Sequence, residues 1–198
     1  MTYSGSPLEK EARLFDRKGQ RKYLNAPERK AFLKAVEDEK DERKKAFCLT
    51  LFHSGCRISE GLNVTVERID LSEKTVVFET LKRRKDKCFR AVPMPDATLQ
   101  LLGRIMAGTD PADPLWSYSR ATAYRLVKDI MLRAGISGSM ACPKGLRHGF
   151  GIACIESRVP LTTVKKWMGH ARLENTAIYL EAGGKEERKL AERLWNPR

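Results

Sequence analysis

The stretch from Pro143 to Tyr179 reads PKGLRHGFGIACIESRVPLTTVKKWMGHARLENTAIY. Three of its features are hard to explain by packing alone. Lys144 and Arg147 lie three apart and on a helix share a face. His170 follows the turn signalled by Gly169. Tyr179 comes nine residues after His170, on what reads as a new helix. Two cations, an imidazole and a phenol at one spot suit a phosphodiester. Cations hold the phosphate, the imidazole steadies an oxygen, and the phenol can attack phosphorus. Upstream, Ser54-Gly55-Cys56-Arg57-Ile58-Ser59-Glu60 strands Arg57 in a turn between two core helices. An arginine there needs an anion, and Glu60 is its candidate supporting partner.

The charge balance points the same way. Lysine and arginine number 38 against 25 acidic residues, a formal charge of +13 in 198 residues. Such an excess calls for a polyanionic partner, and the basic residues cluster. From 81 to 90 there are six basic residues and one acid. Arg83, Arg84 and Lys85 in that run, Arg120, Arg125 and Lys128 on a later helix, and Lys165 and Lys166 before Gly169 are available to a DNA backbone. The five cysteines form no CxxC pair and read as small buried hydrophobes in a reducing compartment. No metal site is expected. The absence of an 18-residue apolar run or a signal peptide argues for a cytoplasmic protein with no membrane partner.

These residues need positioning elements. The pattern predicts a mainly α fold with a small antiparallel β-hairpin or sheet. Residues 1–22 read as a basic arm or linker. A first helix is predicted from Pro27 to Asp38, capped by Asn25. After a charged break to Lys45 comes a core helix over Ala46 to Phe52, with a structural histidine, His53, at its end. Thr75-Val76-Val77-Phe78 and Cys88 to Val92 read as strands. Helices follow over Asp96 to Met106, from Ser119 to Arg133 with Leu126 and Ile130 inward, from Lys144, and over Leu161 to Met168. His148 is expected to point away from Arg147 in a structural role. Trp167 is expected in the core. A last helix, Lys185 to Trp195, carries an apolar edge.

The chain resembles the catalytic domain of the tyrosine recombinase (phage integrase) family. Leu146-Arg147-His148, Gly169-His170 and Tyr179 match that family's second arginine box, Gly-His pair and nucleophile in order and spacing. Gly55, Arg57, Ser59 and Glu60 match its first box. Lys144 stands where most members have histidine. The resemblance implies that residues 23–198 form the catalytic domain, without the N-terminal core-binding domain most members carry. It implies that Arg57 and Arg147 clamp the scissile phosphate, that Lys144 and His170 complete the shell, and that Tyr179 is the nucleophile. Lys82 on the hairpin, with Lys85 as second choice of register, would protonate the leaving 5′ oxygen. It further implies double-stranded DNA as partner, a dimer or tetramer in synapsis with docking through the C-terminal helix, and no cofactor. Two alternatives stay open: a type IB topoisomerase-like relaxing enzyme, and a DNA-binding competitor that no longer cleaves.

Overall fold

The computed structural model describes residues 14–81 and 87–181, together with residues 188, 191, 192, 194 and 195. The end of the expected arm is a closed turn. Phe15 bridges Arg21, and the Asp16 carboxylate accepts from the Lys18 and Gln20 amides at 2.8 Å. Leu14 and Tyr23 are buried on either side of that turn, so packing of two apolar residues fixes a segment whose charges alone suggested freedom. Arg17 and Lys18 remain exposed.

Helix α1 (Ala26–Glu37) starts with a reciprocal cap. The Asn25 side chain accepts from the Glu28 amide, and the Glu28 carboxylate accepts from the Asn25 amide, both at 2.9 Å. Helix α2 (Glu42–Ser54) begins earlier than its apolar run predicts. Asp41 accepts from the Arg43 and Lys44 amides, and this cap draws the charged residues into the first turn. Ala46 to Phe52 are all buried, which makes α2 the central core helix. It ends at Gly55, whose φ of 59° leads the chain into α3 (Ile58–Leu62).

The sheet is antiparallel in the order β1 (Ile69–Asp70), β2 (Thr75–Glu79), β3 (Phe89–Pro93). Val76 pairs with Val92 and Phe78 with Arg90, so these four side chains share the inner face. Helices α4 (Asp96–Met106) and α5 (Arg120–Arg133) follow. The buried stripe of α5 is Ala123, Val127, Ile130 and Met131, while Leu126 is only half-buried at its margin. Helix α6 (Pro143–Glu156) packs on α2, and α7 (Leu161–Met168) packs on α6. A single turn, α8 (Glu174–Ala177), passes into a 3-10 turn, Ile178–Glu181, that carries Tyr179. The expected regular helix around Tyr179 is thus two short pieces.

Two hydrophobic clusters result. The larger joins α1 to α5 with the sheet around Phe47, Phe78 and Leu102. Its Trp116 meets Phe47 edge-on at 5.3 Å and donates from Nε1 to the Gly61 carbonyl at 2.8 Å. The smaller cluster gathers Phe150, Ile152, Val164, Met168 and Tyr179 with Leu14 and Tyr23. Trp167 packs half-buried against both. Helix α6 links the clusters and allows close approaches through its glycines. A Cβ on Gly145 would lie 2.0 Å from the Met140 carbonyl oxygen, and one on Gly149 would lie 2.7 Å from that of Leu24. Cys48, Cys56 and Cys154 are buried, as expected of small hydrophobes, while Cys88 and Cys142 are only half-buried, and none of the five is in a disulfide. Among the described residues, no helix is long and apolar enough to cross a membrane.

A methyl at position 55 meets two obstacles, the positive φ and the Phe150 ring, whose Cδ1 would lie 2.3 Å from the new Cβ. Gly55→Ala is therefore expected to destabilise the fold by about 2–4 kcal/mol. Urea unfolding should show a lower midpoint at constant slope, and an unchanged midpoint would refute the close packing of this turn.

Candidate active site

The site lies where the end of α2, the N-terminal half of α6, the turn after α7 and the turn carrying Tyr179 converge. Arg147 sits one turn into α6, and only 8% of it is exposed. Its Nη1 donates to the Gly55 carbonyl at 2.6 Å and its Nη2 to the Met168 carbonyl at 2.7 Å. The guanidinium thereby ties together the α2–α3 turn and the end of α7. Burial, then the neighbouring Arg57, lowers its pKa to about 10. It stays a cation at neutral pH, held by carbonyl dipoles and not by a carboxylate of its own.

Arg57 precedes α3 and keeps 28% of its side chain open to solvent. Its Nη1 donates to Glu60 Oε1 at 2.7 Å, and its amide donates to Glu60 Oε2 at 2.9 Å. The Glu60 carboxylate is fully buried. It also accepts from Arg90 Nη2 at 2.6 Å. Burial would push Glu60 up, but Arg90, Arg57 and Arg147 together hold its carboxyl below the usual glutamate value. Glu60 thus stands behind Arg57 as its sequence position suggested.

Arg90 is the residue the sequence reading passed over. It reaches from β3 with Nε to the Trp167 carbonyl at 2.7 Å, Nη1 to the Thr80 hydroxyl at 2.9 Å and Nη2 to Glu60. Its guanidinium also lies 5.4 Å from the centre of the Phe78 ring. A signal existed: strand alternation sets Arg90 in register with inward Val92, and an arginine on an inner face must have a partner. It braces the sheet, the Glu60–Arg57 pair and the end of α7 against one another.

His170 follows Gly169, the left-handed residue that ends α7. Its Nδ1 lies 2.9 Å from the Thr176 hydroxyl, and its ring stacks on Tyr179 with centroids 6.2 Å apart. Burial, then Arg147 and Arg57, lowers its pKa to about 2, so the imidazole is neutral. Tyr179 is 1% exposed. Its ring covers Gly151, where a Cβ would fall 2.6 Å from the ring carbons. Burial pushes its phenol up to about 12, while Arg147 and Arg57 pull it down. The Tyr179 Oη lies 3.2 Å from Nδ1 of His148. The expectation that His148 points elsewhere is therefore corrected. One residue past Arg147 on α6, its ring turns to the phenol and not to the solvent or the main core.

The structure brings Arg57, Glu60, Arg147, His170 and Tyr179 together, with Arg90 and His148 added. Lys144 is exposed in the first turn of α6. Lys82, Arg83, Arg84 and Lys85 lie outside the described residues. Arg120, Arg125, Lys128 and Lys166 are exposed and Lys165 is half-buried. Lys165 and Lys166 line a hollow of about 320 Å³ beside the site, with Thr80, Arg90 and His170 also on its wall. His53 sits apart, edge-on to Phe52 at 5.0 Å, as a structural histidine would. Among the described residues there is no cluster suited to a metal ion.

Two arginines from different elements, a neutral imidazole and a phenol can together hold a tetrahedral anion and present an oxygen nucleophile to it. Comparison with known proteins agrees. A profile described as the phage integrase family matches residues 22–185. The chain belongs to that family. A tyrosine recombinase of Thermosipho africanus is 27% identical over 177 residues, covering 87% of this chain and 61% of the relative. The tyrosine recombinase XerA of Pyrococcus furiosus is likewise 27% identical, with 87% and 61% covered. The chain therefore spans about three-fifths of those relatives' length. Among solved structures, the XerA recombinase superposes with a TM-score of 0.74 at 24% identity, over 89% of this chain and 65% of that one. XerH bound to its difH substrate in a pre-cleavage complex gives 0.72 at 20% identity, with 92% and 60% covered. The catalytic domain of bacteriophage HP1 integrase gives 0.61 at 20% identity, with 89% and 98% covered. The mainly α fold with a three-stranded antiparallel sheet is that of the integrase catalytic domain.

The buried ion pairs and the buried imidazoles each generate a prediction. Arg90→Ala leaves Glu60 without one of its two guanidinium partners and is expected to cost about 3–5 kcal/mol. Urea unfolding measures it, and a loss below about 1 kcal/mol, the scale of a solvated surface pair, would contradict the bracing role. Second, burial pushes His53, His148 and His170 down, to about 4, about 3 and about 2. Their unfolded value is 6.5. Below that value the unfolded chain binds protons that the folded chain refuses. Stability present above pH 6.5 should thus fall as the pH drops from there toward 4. Urea midpoints at pH 7 and pH 5 test this, and equal midpoints would show that the imidazoles are solvated.

Proposed function

We propose that residues 23–198 act as the catalytic domain of a site-specific recombinase, which cleaves and rejoins double-stranded DNA through a 3′-phosphotyrosyl intermediate. The observation that carries the reading is the convergence of Arg57 and Arg147 on Tyr179, whose phenol both cations pull toward ionisation. Arg57, open to solvent on one side, and Arg147 hold the non-bridging oxygens of the scissile phosphate and stabilise its pentacoordinate transition state. Lys144 and His170 complete that shell. Tyr179 Oη attacks phosphorus, and a hairpin lysine, Lys82 or Lys85, protonates the departing 5′ oxygen. An ammonium suits that task because it can give up a proton where a guanidinium cannot. A 5′ hydroxyl of the partner strand then reverses the step. The phosphotyrosyl bond conserves the energy of the broken one, so neither nucleotide nor metal is needed.

The exposed basic residues of α5 and α7 follow the DNA backbone. Leu194 and Trp195 are exposed near the C-terminus and are suited to docking on a second protomer in synapsis. The family match over residues 22–185, and the fold shared with XerH on its difH substrate, support this reading.

A nicked suicide duplex carrying a target site tests it. The cleaved strand cannot religate, so a denaturation-resistant protein–DNA band should accumulate. Tyr179→Phe should abolish the band and leave duplex binding intact. Arg57→Ala should slow its formation by roughly 10²–10³-fold, the cost of one lost transition-state contact. A band that survives in Tyr179→Phe would assign the nucleophile to another residue.

A further inference from the structure

We propose that His148 is a catalytic residue of this site: its Nδ1 takes the proton that Tyr179 releases as Oη bonds to phosphorus. This rests on the reading of Tyr179 as nucleophile. The geometry carries it. Nδ1 lies 3.2 Å from Oη, within reach of a proton transfer. The two rings are tilted by 58° with centroids 5.9 Å apart, which aims the nitrogen at the hydroxyl and not at the ring face. The other partners of the phenol do different work. His170 stacks on its face and is engaged through Nδ1 with Thr176. Arg147 and Arg57 are cations and cannot accept a proton.

With Oη–H donating to Nδ1, the neutral ring carries its own proton on Nε2. Nε2 is buried and has no hydrogen-bond partner among the described residues. A polar nitrogen held in that state needs a reason, and a proton acceptor kept dry beside a nucleophile supplies one. The groups facing the ring are Lys22 from the N-terminal turn, Lys144 and Arg147 on its own helix, and Tyr179 and His170 opposite. Burial, then the cations Lys144, Arg147 and Lys22, pushes His148 down to about 3, so it stands neutral and ready to accept. The cationic share of that lowering is what a bound phosphate diester neutralises. The base thus strengthens when substrate arrives.

The protons balance. The Oη–P bond forms as the P–O5′ bond breaks. The Oη proton passes to Nδ1, and the leaving oxygen takes its proton from a lysine. In the reverse step the incoming 5′ hydroxyl returns a proton to that lysine, and Nδ1 returns its own to Oη.

His148→Asn sets an amide where Nδ1 stood, keeping a hydrogen bond but no titrating nitrogen. His148→Phe keeps the ring volume. Both are compared with the unsubstituted chain in single-turnover cleavage of the nicked duplex, with thermal unfolding of each as a check on folding. Both variants should bind the duplex as before. The Asn variant should cleave roughly 10²–10⁴-fold more slowly. The unsubstituted chain should speed up with pH and then level off as the imidazole becomes neutral in the complex. The Asn variant should keep rising without that plateau. On a duplex with a bridging 5′ sulfur, whose thiolate leaves without a proton, the defect should persist. An Asn variant within about threefold of normal, under 1 kcal/mol of barrier, would overturn the proposal and leave His148 a spacer. Rescue by the sulfur substrate would overturn it in favour of an acid acting on the leaving group. A band that survives Tyr179→Phe overturns the nucleophile reading itself. A band that needs Tyr179 but not His148 overturns only the present inference.

Discussion

Glu60 is a fully buried carboxylate shared by two arginines, and the arrangement of the site depends on it. One partner, Arg57, faces the solvent; the other, Arg90, is buried and fastened to the sheet and to the end of α7. Removing a carboxylate from water costs several kcal/mol, which only well-made ion pairs offset. Both oxygens of Glu60 are used, one by Arg57 Nη1 and the other by the Arg57 amide and Arg90 Nη2. The arrangement is rigid for that reason. A displaced Arg90 would leave an unpaired charge in the core, and Arg57 would lose the anchor that aims it.

Around this anchor the site is built as a positive field with neutral acids and bases inside it. Arg147 is held by carbonyl dipoles, so its charge is not cancelled. Two imidazoles nearby are pushed toward their neutral forms by burial and by these cations, and burial keeps the phenol protonated against their pull. Such a site is electrostatically incomplete on its own. A phosphate diester, the ligand of the proposed function, would supply a negative charge to these cations and shift the proton affinities of their neighbours. In the proposed reading, the basic residues of α5 and α7 would guide that anion toward the ion-paired core.

Much of this was legible in the sequence because the motif residues sit at turns whose signals are local. Gly55 and Gly169 end helices, and the functional groups follow at fixed offsets, so Arg57 and His170 could be placed from chemistry and punctuation together. The core helix and the two strands were visible from apolar patterning. What was not legible depends on tertiary direction. His148 and Arg147 are adjacent on α6, and nothing in their spacing says that the first turns to the phenol while the second spans two loops. Arg90 looked like one more charge at the end of a basic hairpin, and only its strand register betrayed its inward face. The start of α2 was missed because a cap at Asp41 overrode the charged run that follows it. Likewise, the turn from Leu14 to Tyr23 is closed by two apolar residues that a basic composition conceals.

Helix α6 carries Arg147 and His148, and its glycines at 145, 149 and 151 each touch something other than side chains of the same helix: a carbonyl, another carbonyl and the Tyr179 ring. Glycine inside a helix normally weakens it by about 1 kcal/mol relative to alanine, and replacing such residues is a standard route to hardier proteins. Here that route is closed. A consensus or propensity-guided redesign would mark Gly151 as a defect and fill it with a methyl group, and the methyl would evict the phenol from its seat. The segment that looks least optimised for folding is the one that sets where the Tyr179 ring, and with it the phenol oxygen, is seated. Efforts to harden this domain belong instead on the outer face of α4, away from these groups and from the basic face of α5.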